Sequence, residues 1–248
     1  MFRRRNRRES RSFLRDRKAQ ERAVAMVAAR PHPPSDRVLK AARRGASSDQ
    51  GAPMSLEDVA LGVRACRRCD LWRDATQGVA GEGMGEAPLM FVGEQPGDQE
   101  DLAGRPFVGP AGQVFDRALA EAGVPRDRSF VTNAVKHFKH KRRGKRRIHK
   151  APDRGEVTAC RWWLDAERRL VRPRVIVMLG ATAALAVVGK PTPIGANRGK
   201  ALQLPDQAQG LVTYHPSFLL RIPDATAKAR AYAAFIQDLR TAKDLAGL

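Results

Sequence analysis

The sequence of 248 residues lacks the long hydrophobic runs of a membrane protein and has few cysteines. No apolar run approaches the 18 or more residues of a membrane span, so we expect no membrane-embedded segment. The basic N-terminus lacks the apolar stretch of a secretory signal, so we expect a cytoplasmic protein. Three cysteines are present. This small, odd number argues against a disulfide framework and favours metal or redox chemistry in a reducing compartment.

One segment of the chain has no acidic residues, and this segment carries much of the net charge of +20. Residues 136–150 contain nine Lys and Arg and no Asp or Glu, and residues 1–50 carry a net charge of +10. The remaining 183 residues have a net charge of only +1. Such concentrated charge indicates a polyanionic partner, most simply nucleic acid. We predict a basic, disordered extension over residues 1–50 and one folded domain over residues 51–248.

Apolar runs and helix signals alternate along the folded part. Four strands are predicted at residues 89–92, 130–135, 175–179 and 211–214. Helices are predicted at 55–65, 110–122, 153–170, 181–188 and 224–243. This alternation predicts a single α/β domain with a central four-stranded parallel sheet flanked by helices on both faces. In such sheets ligands bind beyond the carboxyl ends of the strands. Polar residues follow these ends, at 93–97, 133–137, 180 and 215–217.

The cysteines have the spacing of a metal or cluster site. Cys66 and Cys69 form a C-x-x-C pair, and Cys160 follows much later. Three thiolates are one ligand short of a tetrahedral set, and His137 and His140 are candidates for the fourth. The spacing alone does not separate zinc from iron–sulfur. A C-x-x-C redox pair is the alternative, although no thioredoxin-like pattern surrounds it.

Two further segments carry candidate chemistry. The glycine-rich stretch 93–112 permits close backbone approach to a ligand, although a plain turn-rich connection fits it equally well. His149 lies among the cations of the basic segment, where like charge is expected to lower its pKa and keep the imidazole a nucleophile or general base. His215 follows the last strand, where it can stabilise negative charge on a leaving group or simply end a turn.

Several of these segments together resemble a known family. The sequences GEQPG at 93–97, TNAVK at 132–136 and HPS at 215–217, with the cysteines, are similar to family 4 uracil-DNA glycosylases. GEQPGDQED, VKHF at 135–138 and KRRIH at 145–149 resemble the UdgX branch most closely. The resemblance covers about residues 55–243. It implies the uracil-DNA glycosylase fold, a 4Fe–4S cluster and a role in DNA repair.

The resemblance implies a role for each matching residue. Cys66, Cys69, His137 and Cys160 would hold the 4Fe–4S cluster. Phe107 would stack on the flipped uracil, Asn133 would read its Watson–Crick edge, and the backbone around Gln95 and Asp98 would line the pocket. His215 would stabilise the departing uracil anion. Ser217 would contact substrate, and Arg221 would lie near the DNA backbone.

The basic segment would give the UdgX branch its distinctive chemistry. His149 would attack C1′ of the deoxyribose and form a stable covalent adduct, with Glu94 orienting the imidazole and Lys145, Arg146 and Arg147 contacting DNA. The expected partner is uracil-containing DNA, preferably single-stranded, bound by a monomer. Two alternatives stay open: a conventional multi-turnover family 4 glycosylase, and a non-catalytic metalloprotein that binds nucleic acid.

Overall fold

A computed structural model describes residues 36–43 and 52–248. The strands of its main sheet are β1 (Glu82–Gly83), β2 (Leu89–Gly93), β3 (Ser129–Asn133), β6 (Val175–Leu179), β7 (Ala201–Gln203) and β8 (Gln209–Thr213). Their order across the sheet is β1-β3-β2-β6-β8-β7. The four central strands are parallel, and the two short edge strands run antiparallel to their neighbours.

The predicted α/β class is confirmed, and the predicted parallel sheet needs a correction. The four expected strands form the parallel centre, but the whole sheet has six strands and is mixed. The two additional strands are β1, of two residues, and β7, of three residues. Both are too short to produce an alternating hydrophobic pattern, so periodicity did not predict them. β3 also ends at Asn133, two residues earlier than expected.

Helices cover both faces of the sheet. Their bounds are α1 (Asp36–Ala41), α2 (Leu56–Arg64), α3 (Asp98–Ala103), α4 (Pro110–Ala122), α5 (Arg154–Val171), α6 (Ala181–Val188), α7 (Ile194–Asn197), α8 (Pro216–Arg221) and α9 (Ala225–Ala246). Successive strand residues point to opposite faces, which divides the core in two. One half packs Met90 and Ile176 against α2, α5 and α6, and the other packs Phe91 and Val177 against α4, α8 and α9.

The predicted helix starts have a physical basis in capping. The hydroxyl of Ser55 accepts a hydrogen bond from the Asp58 amide at the start of α2. Asp153 and Glu156 form a reciprocal capping box at the start of α5. α4 ends at Gly123, whose φ of 68° is left-handed and is strained for any residue with a Cβ.

Residues 36–43 are the described part of the extension predicted over residues 1–50. They include α1, where Val38 and Ala42 are buried, and the Ala42 carbonyl accepts a hydrogen bond from the Arg67 amide. A Cβ at Gly62 would stand 2.7 Å from Cγ1 of Val38, so α1 and α2 pack closely. The other residues of the predicted extension, 1–35 and 44–50, lie outside the described residues.

The basic segment that the sequence presented as a loop is largely a β-hairpin. β4 (His140–Arg143) pairs antiparallel with β5 (Arg146–His149), and Gly144, with a φ of 59°, lies in the turn. His140 and His149 are paired in this register. The hairpin leaves the main sheet just beyond β3, so it rises from the carboxyl edge where the candidate site was expected.

Within the part of the chain that the structure describes, no helix has the length and apolar character needed to cross a lipid bilayer.

Candidate active site

The carboxyl ends of the central strands bring the candidate residues together. Gly93 at the end of β2 is paired in register with Asn133 at the end of β3. Glu94 follows directly after β2, and His215 lies two residues beyond β8. Parallel register therefore places residues from three distant segments at one level of one edge.

Gly93 borders both the Asn133 side chain and the Phe107 ring, and the space beside these three residues is called the slot here. A Cβ built on Gly93 would stand 2.4 Å from Oδ1 of Asn133 and 2.7 Å from Cζ of Phe107. Asn133 and Phe107 are both buried, with 3% and 8% of their surface exposed. Only glycine leaves the space between the amide and the ring open. The slot has the two parts expected for a flat base: an aromatic face and a hydrogen-bonding edge.

Phe107 holds its position through an unusual backbone conformation. Its φ of 56° lies in the left-handed region, which costs energy for a residue with a Cβ. A Cβ on Gly112 would stand only 1.8 Å from the Phe107 carbonyl oxygen, so α4 can approach this turn only with glycine there. The Phe107 ring also packs on Phe115, with 5.1 Å between centroids. Backbone and core together fix the ring that faces the slot.

His215 faces the same space, in a defined protonation state. Its ring centroid lies 6.2 Å from that of Phe107. Its Nδ1 accepts a hydrogen bond from the Ser217 amide at 3.1 Å, so in the neutral ring the proton is on Nε2. Burial above all, with the charges of Arg221 and His149, lowers the pKa of His215 to about 4 against the opposing effect of Glu94. At neutral pH the ring is therefore an uncharged N–H donor.

Ser217 and Arg221 contact the active site through this histidine. Ser217 Oγ lies 2.8 Å from Nδ1 of His215, and Nη1 of Arg221 donates to the same Oγ at 3.1 Å. The three side chains form a short hydrogen-bonded chain that ends at exposed Arg221. The direct DNA contact expected of Arg221 stays a prediction.

Glu94 joins His149 to the site. Its Oε1 lies 3.1 Å from Nε2 of His149, and its Oε2 accepts a hydrogen bond from the Thr182 hydroxyl at 2.7 Å. Burial acts to raise the pKa of Glu94, but the hydrogen bonds from His149 and Thr182 outweigh it and hold the pKa below its ordinary value. The group is thus an ionised carboxylate that orients the imidazole.

Gln95 fixes the base of the hairpin that carries His149. Its Nε2 donates to the carbonyls of Lys139 and Lys150 at 3.2 and 3.1 Å, and its Oε1 accepts from the Lys139 amide at 3.1 Å. These bonds reach the residues that flank the two hairpin strands. The carboxamide of Gln95 is therefore engaged with the hairpin, and its neighbouring backbone remains the part available to line the pocket.

Arg147 anchors the side of the same hairpin. Its Nε donates to Oδ1 of Asp98 and its Nη1 to Oδ2 of Asp101, both at 2.5 Å. Asp101 is fully buried and also accepts a hydrogen bond from the Thr76 amide at 3.0 Å. Of the three hairpin residues predicted to contact DNA, Lys145 and Arg146 are exposed. The Arg147 side chain is mostly covered, with 14% of its surface exposed.

The nine cations of residues 136–150 are not equivalent. Three of them pair with carboxylates: Lys136, Lys139 and Arg147. The other six are exposed: Lys141, Arg142, Arg143, Lys145, Arg146 and Lys150. This surface beside His149 is strongly positive, as a nucleic-acid interface requires.

The predicted cluster ligands come from three segments that approach one another. Cys66 and Cys160 are buried and Cys69 is partly buried. Burial raises the pKa of the Cys160 thiol. Trp163, which follows Cys160 on α5, donates a hydrogen bond to Sγ of Cys66, so α5 brings the two cysteine segments together. His137 is buried, whereas His140 stacks on Phe138 with ring centroids 5.0 Å apart.

In the described part of the chain, the predicted cluster ligands are not gathered around a single point. In the described residues, no three side chains from His, Cys, Asp and Glu come close enough to hold one metal ion. N–H groups also point at the thiols: the Lys136 amide donates to Sγ of Cys160, and Nε1 of Trp163 to Sγ of Cys66, each at 3.1 Å.

Several residues that shape the site were not predicted. Thr182 holds Glu94, Asp101 holds Arg147, and a buried Lys136–Glu167 pair lies behind Asn133. The acidic residues within GDQED at 97–101 were a signal for the second of these, because carboxylates are natural partners for a strongly basic segment. Nothing in the sequence marks the partner of Lys136, because Glu167 is 31 residues away on α5.

Comparison with known proteins identifies the family. Residues 80–240 match the model of the uracil DNA glycosylase superfamily. The type-4 uracil-DNA glycosylase of Sulfurisphaera tokodaii is 36% identical over 181 residues, which cover 68% of this chain and 78% of the relative. That of Thermotoga maritima is 38% identical over 167 residues, covering 67% and 83%. That of Pyrobaculum aerophilum is 36% identical over 177 residues, covering 68% and 87%.

The matched range contains the slot, the hairpin and every predicted site residue except two of the cysteines. Cys66 and Cys69 alone precede it. With the parallel sheet and the residues at its carboxyl edge, these matches show that the chain belongs to the uracil-DNA glycosylase superfamily and is a homologue of its type-4 members.

Proposed function

We propose that this protein excises uracil from DNA, preferably single-stranded, and then captures the resulting sugar covalently through His149, as a UdgX-type protein. The observation that carries the proposal is the position of His149. A hairpin clamped by Gln95 and Arg147 presents its imidazole to Glu94, at the same edge as the slot formed by Phe107 and Asn133.

Excision begins with a flipped base in the slot. The Phe107 ring stacks on uracil, and the Asn133 carboxamide both donates to and accepts from its Watson–Crick edge. Cytosine presents the reverse pattern and leaves these groups unsatisfied. The bond between C1′ and N1 then breaks, and its electron pair leaves with the uracil anion. The uncharged Nε2–H of His215 stabilises that anion by a hydrogen bond to a uracil carbonyl.

Capture of the sugar completes the reaction. The imidazole nitrogen that carries the lone pair forms a bond to C1′ of the cationic sugar, and the remaining ring N–H proton passes to Glu94 or to water. A held imidazole has a high effective concentration relative to water, which favours the adduct over hydrolysis. About half of the His149 side chain is exposed, at 51%, so a docked sugar can reach the ring while its Nε2 stays at Glu94.

We further propose that Cys66, Cys69, His137 and Cys160 hold a 4Fe–4S cluster. The support is the three thiols on segments that approach one another, the buried His137 and the two N–H donors aimed at the sulfurs. When bound, the cluster would supply a rigid cross-link between the segment before β1, the segment after β3 and α5. A brown protein with broad absorption near ~400 nm would support it, whereas a colourless zinc protein would contradict it.

The decisive experiment is an adduct assay. The protein is mixed with a uracil-containing single-stranded oligonucleotide, heated in SDS and run on a gel. We expect a slow-migrating adduct that the thymine-containing oligonucleotide does not give. His149→Ser should remove the adduct and let water take the sugar, so that one protein releases several uracils.

A conventional multi-turnover glycosylase is the second candidate, favoured by the type-4 relatives. It predicts repeated uracil release by the wild-type protein and no adduct. A protein that only binds nucleic acid predicts neither product.

A further inference from the structure

A lysine and a glutamate form a fully buried ion pair behind the slot. Nζ of Lys136 lies 2.6 Å from Oε2 of Glu167, and both side chains are 0% exposed. Neither residue has a part in the excision chemistry proposed above. Because removing two charges from water is costly, such a pair needs a physical reason.

The ammonium group has all three of its protons engaged. Besides Glu167, it donates to Oγ1 of Thr132 at 2.6 Å and to the carbonyl oxygen of Asn133 at 2.8 Å. A lysine has three donors and no acceptor, so no proton is left for another ligand. The group therefore cannot act as a base or nucleophile here, and its chemistry is confined to holding these neighbours.

Glu167 extends the same network to two other segments. Its Oε1 accepts a hydrogen bond from the Gly81 amide at 2.8 Å, and its Oε2 one from the Thr132 hydroxyl at 2.8 Å. Glu167 lies on α5, the helix that also carries Cys160. The pair thus joins the end of β3, the loop before β1 and α5 at one buried point.

The bond to the Asn133 carbonyl is the informative one. Asn133 is the last residue of β3. The peptide group between Asn133 and Ala134 therefore lies where the regular hydrogen bonding of the sheet ends. The next amide, of Ala134, is held by the Gly93 carbonyl at 2.9 Å. Lys136 thereby holds one side of this peptide and Gly93 the other. Since Oδ1 of Asn133 lies 2.4 Å from the place of a Gly93 Cβ, a small backbone shift would close or widen the slot.

We propose that Lys136 and Glu167 are a positioning pair that fixes the Asn133 carboxamide for base recognition and ties it to the helix bearing Cys160. This inference rests on the proposed function, because it assigns the role of the slot to reading uracil. Stability alone does not account for the pair, since apolar side chains of similar volume usually replace a buried ion pair without loss.

The test separates positioning from folding through a double variant. Lys136→Met with Glu167→Leu removes both charges, so no unpaired charge is left buried. Two quantities are measured separately. With protein in excess over the uracil oligonucleotide, the reaction gives the rate of uracil release. With the oligonucleotide in excess, the final amount of adduct gives the fraction of competent protein. We expect the competent fraction to stay close to that of the wild type and the rate to fall about 10- to 100-fold.

A control variant and a milder variant complete the design. Arg168→Met with Asp206→Leu removes an ion pair on the same helix as Glu167, in which Nη2 of Arg168 lies 2.6 Å from Asp206 in the turn between β7 and β8, and should leave the rate unchanged. Thr132→Val keeps both buried charges but removes one acceptor of Lys136, and should lower the rate several-fold. The proposal is overturned if the double variant folds and releases uracil at the wild-type rate. It is also overturned if the competent fraction of the double variant falls while its rate of uracil release stays unchanged.

Binding gives a readout that is independent of the chemistry. We expect the wild-type protein to prefer a uracil oligonucleotide over its cytosine counterpart, and the double variant to lose most of that preference. If the wild type releases no uracil, the proposed function fails, while the binding preference still tests the positioning pair. Equal preference in wild type and double variant would contradict the pair in either case.

Discussion

Nε2 of His149 lies 3.1 Å from Oε1 of Glu94, and this contact joins the basic hairpin to the end of the central strand β2. The carboxylate is itself held by the Thr182 hydroxyl at the start of α6. One acidic group thus links the proposed nucleophile to strand β2 and to helix α6. This arrangement leads to predictions that separate excision of the base from capture of the sugar.

Glu94→Gln should slow adduct formation by about 10²-fold, because the amide keeps the size of the carboxylate but not its charge. The measurement is the rate of the SDS-resistant band with protein in excess. Thr182→Val is the matched control, since it removes one hydrogen bond to Glu94 and leaves its contact with His149 in place. A Glu94→Gln rate within twofold of the wild type would contradict the orienting role.

Gly93→Ala should abolish uracil excision without unfolding the protein. The added methyl would stand 2.4 Å from Oδ1 of Asn133 and 2.7 Å from the Phe107 ring, in the slot itself. Misplacement by about 1 Å near reacting groups can cost 10²-fold in rate, and we expect at least that loss. Gly85→Ala is the control, because a Cβ there meets nothing within 4 Å. Full activity in Gly93→Ala would show that the base binds elsewhere.

Gln95→Ala should change the partition between adduct and free product. Without its three hydrogen bonds the hairpin base loosens, so His149 is held less firmly while the slot remains intact. Water then competes better for the sugar, and the ratio of released uracil to adduct should rise above one. Quantifying both products from the same reaction checks this. A ratio that stays at one would mean that Gln95 does not position His149.

Lys145→Ala and Arg146→Ala should each reduce the salt dependence of DNA binding. Both side chains are exposed on β5 or its turn, where they can neutralise phosphates. For single strands each lost contact should lower the slope of log affinity against log salt by about 0.7. Arg147→Met should leave that slope nearly unchanged, because Asp98 and Asp101 already pair with Arg147, and should instead slow the adduct. An equal slope change in all three variants would contradict the distinction.

Acid should destabilise the protein partly through His215. Its folded pKa of about 4 lies below the ordinary value of 6.5, so between these values the unfolded chain binds more protons than the folded one. The free energy of unfolding therefore rises with pH across this window, by up to about 1.4 kcal/mol per pH unit from this group. His215→Asn should show a shallower slope from pH 6.5 to 4 in urea titrations. Identical slopes would show that the ring is not buried as a neutral group.

The parallel core was predictable because its strands are short apolar runs that end at glycine or at polar residues. Leu89–Gly93 and Val175–Leu179 are buried throughout, so their hydrophobicity is continuous and does not depend on distant neighbours. Edge strands β1 and β7 owe their structure to pairing with a neighbour, which a local pattern does not reveal. The strands of the hairpin could not be predicted, because a strongly basic run has no alternation of apolar and polar residues.

The chemistry of single positions was also readable from the sequence, but their partners were not. The sequence by itself determined the strand ends that carry Glu94, Asn133 and His215, the C-x-x-C pair and the isolated basic segment, because these depend on local composition and order. Only the tertiary structure decided that Arg147 faces inward to Asp101, that Gln95 holds the hairpin, and that Lys136 is buried against Glu167. Such pairs join residues tens of positions apart, and charge alone does not specify which neighbour the folded chain brings within hydrogen-bond distance.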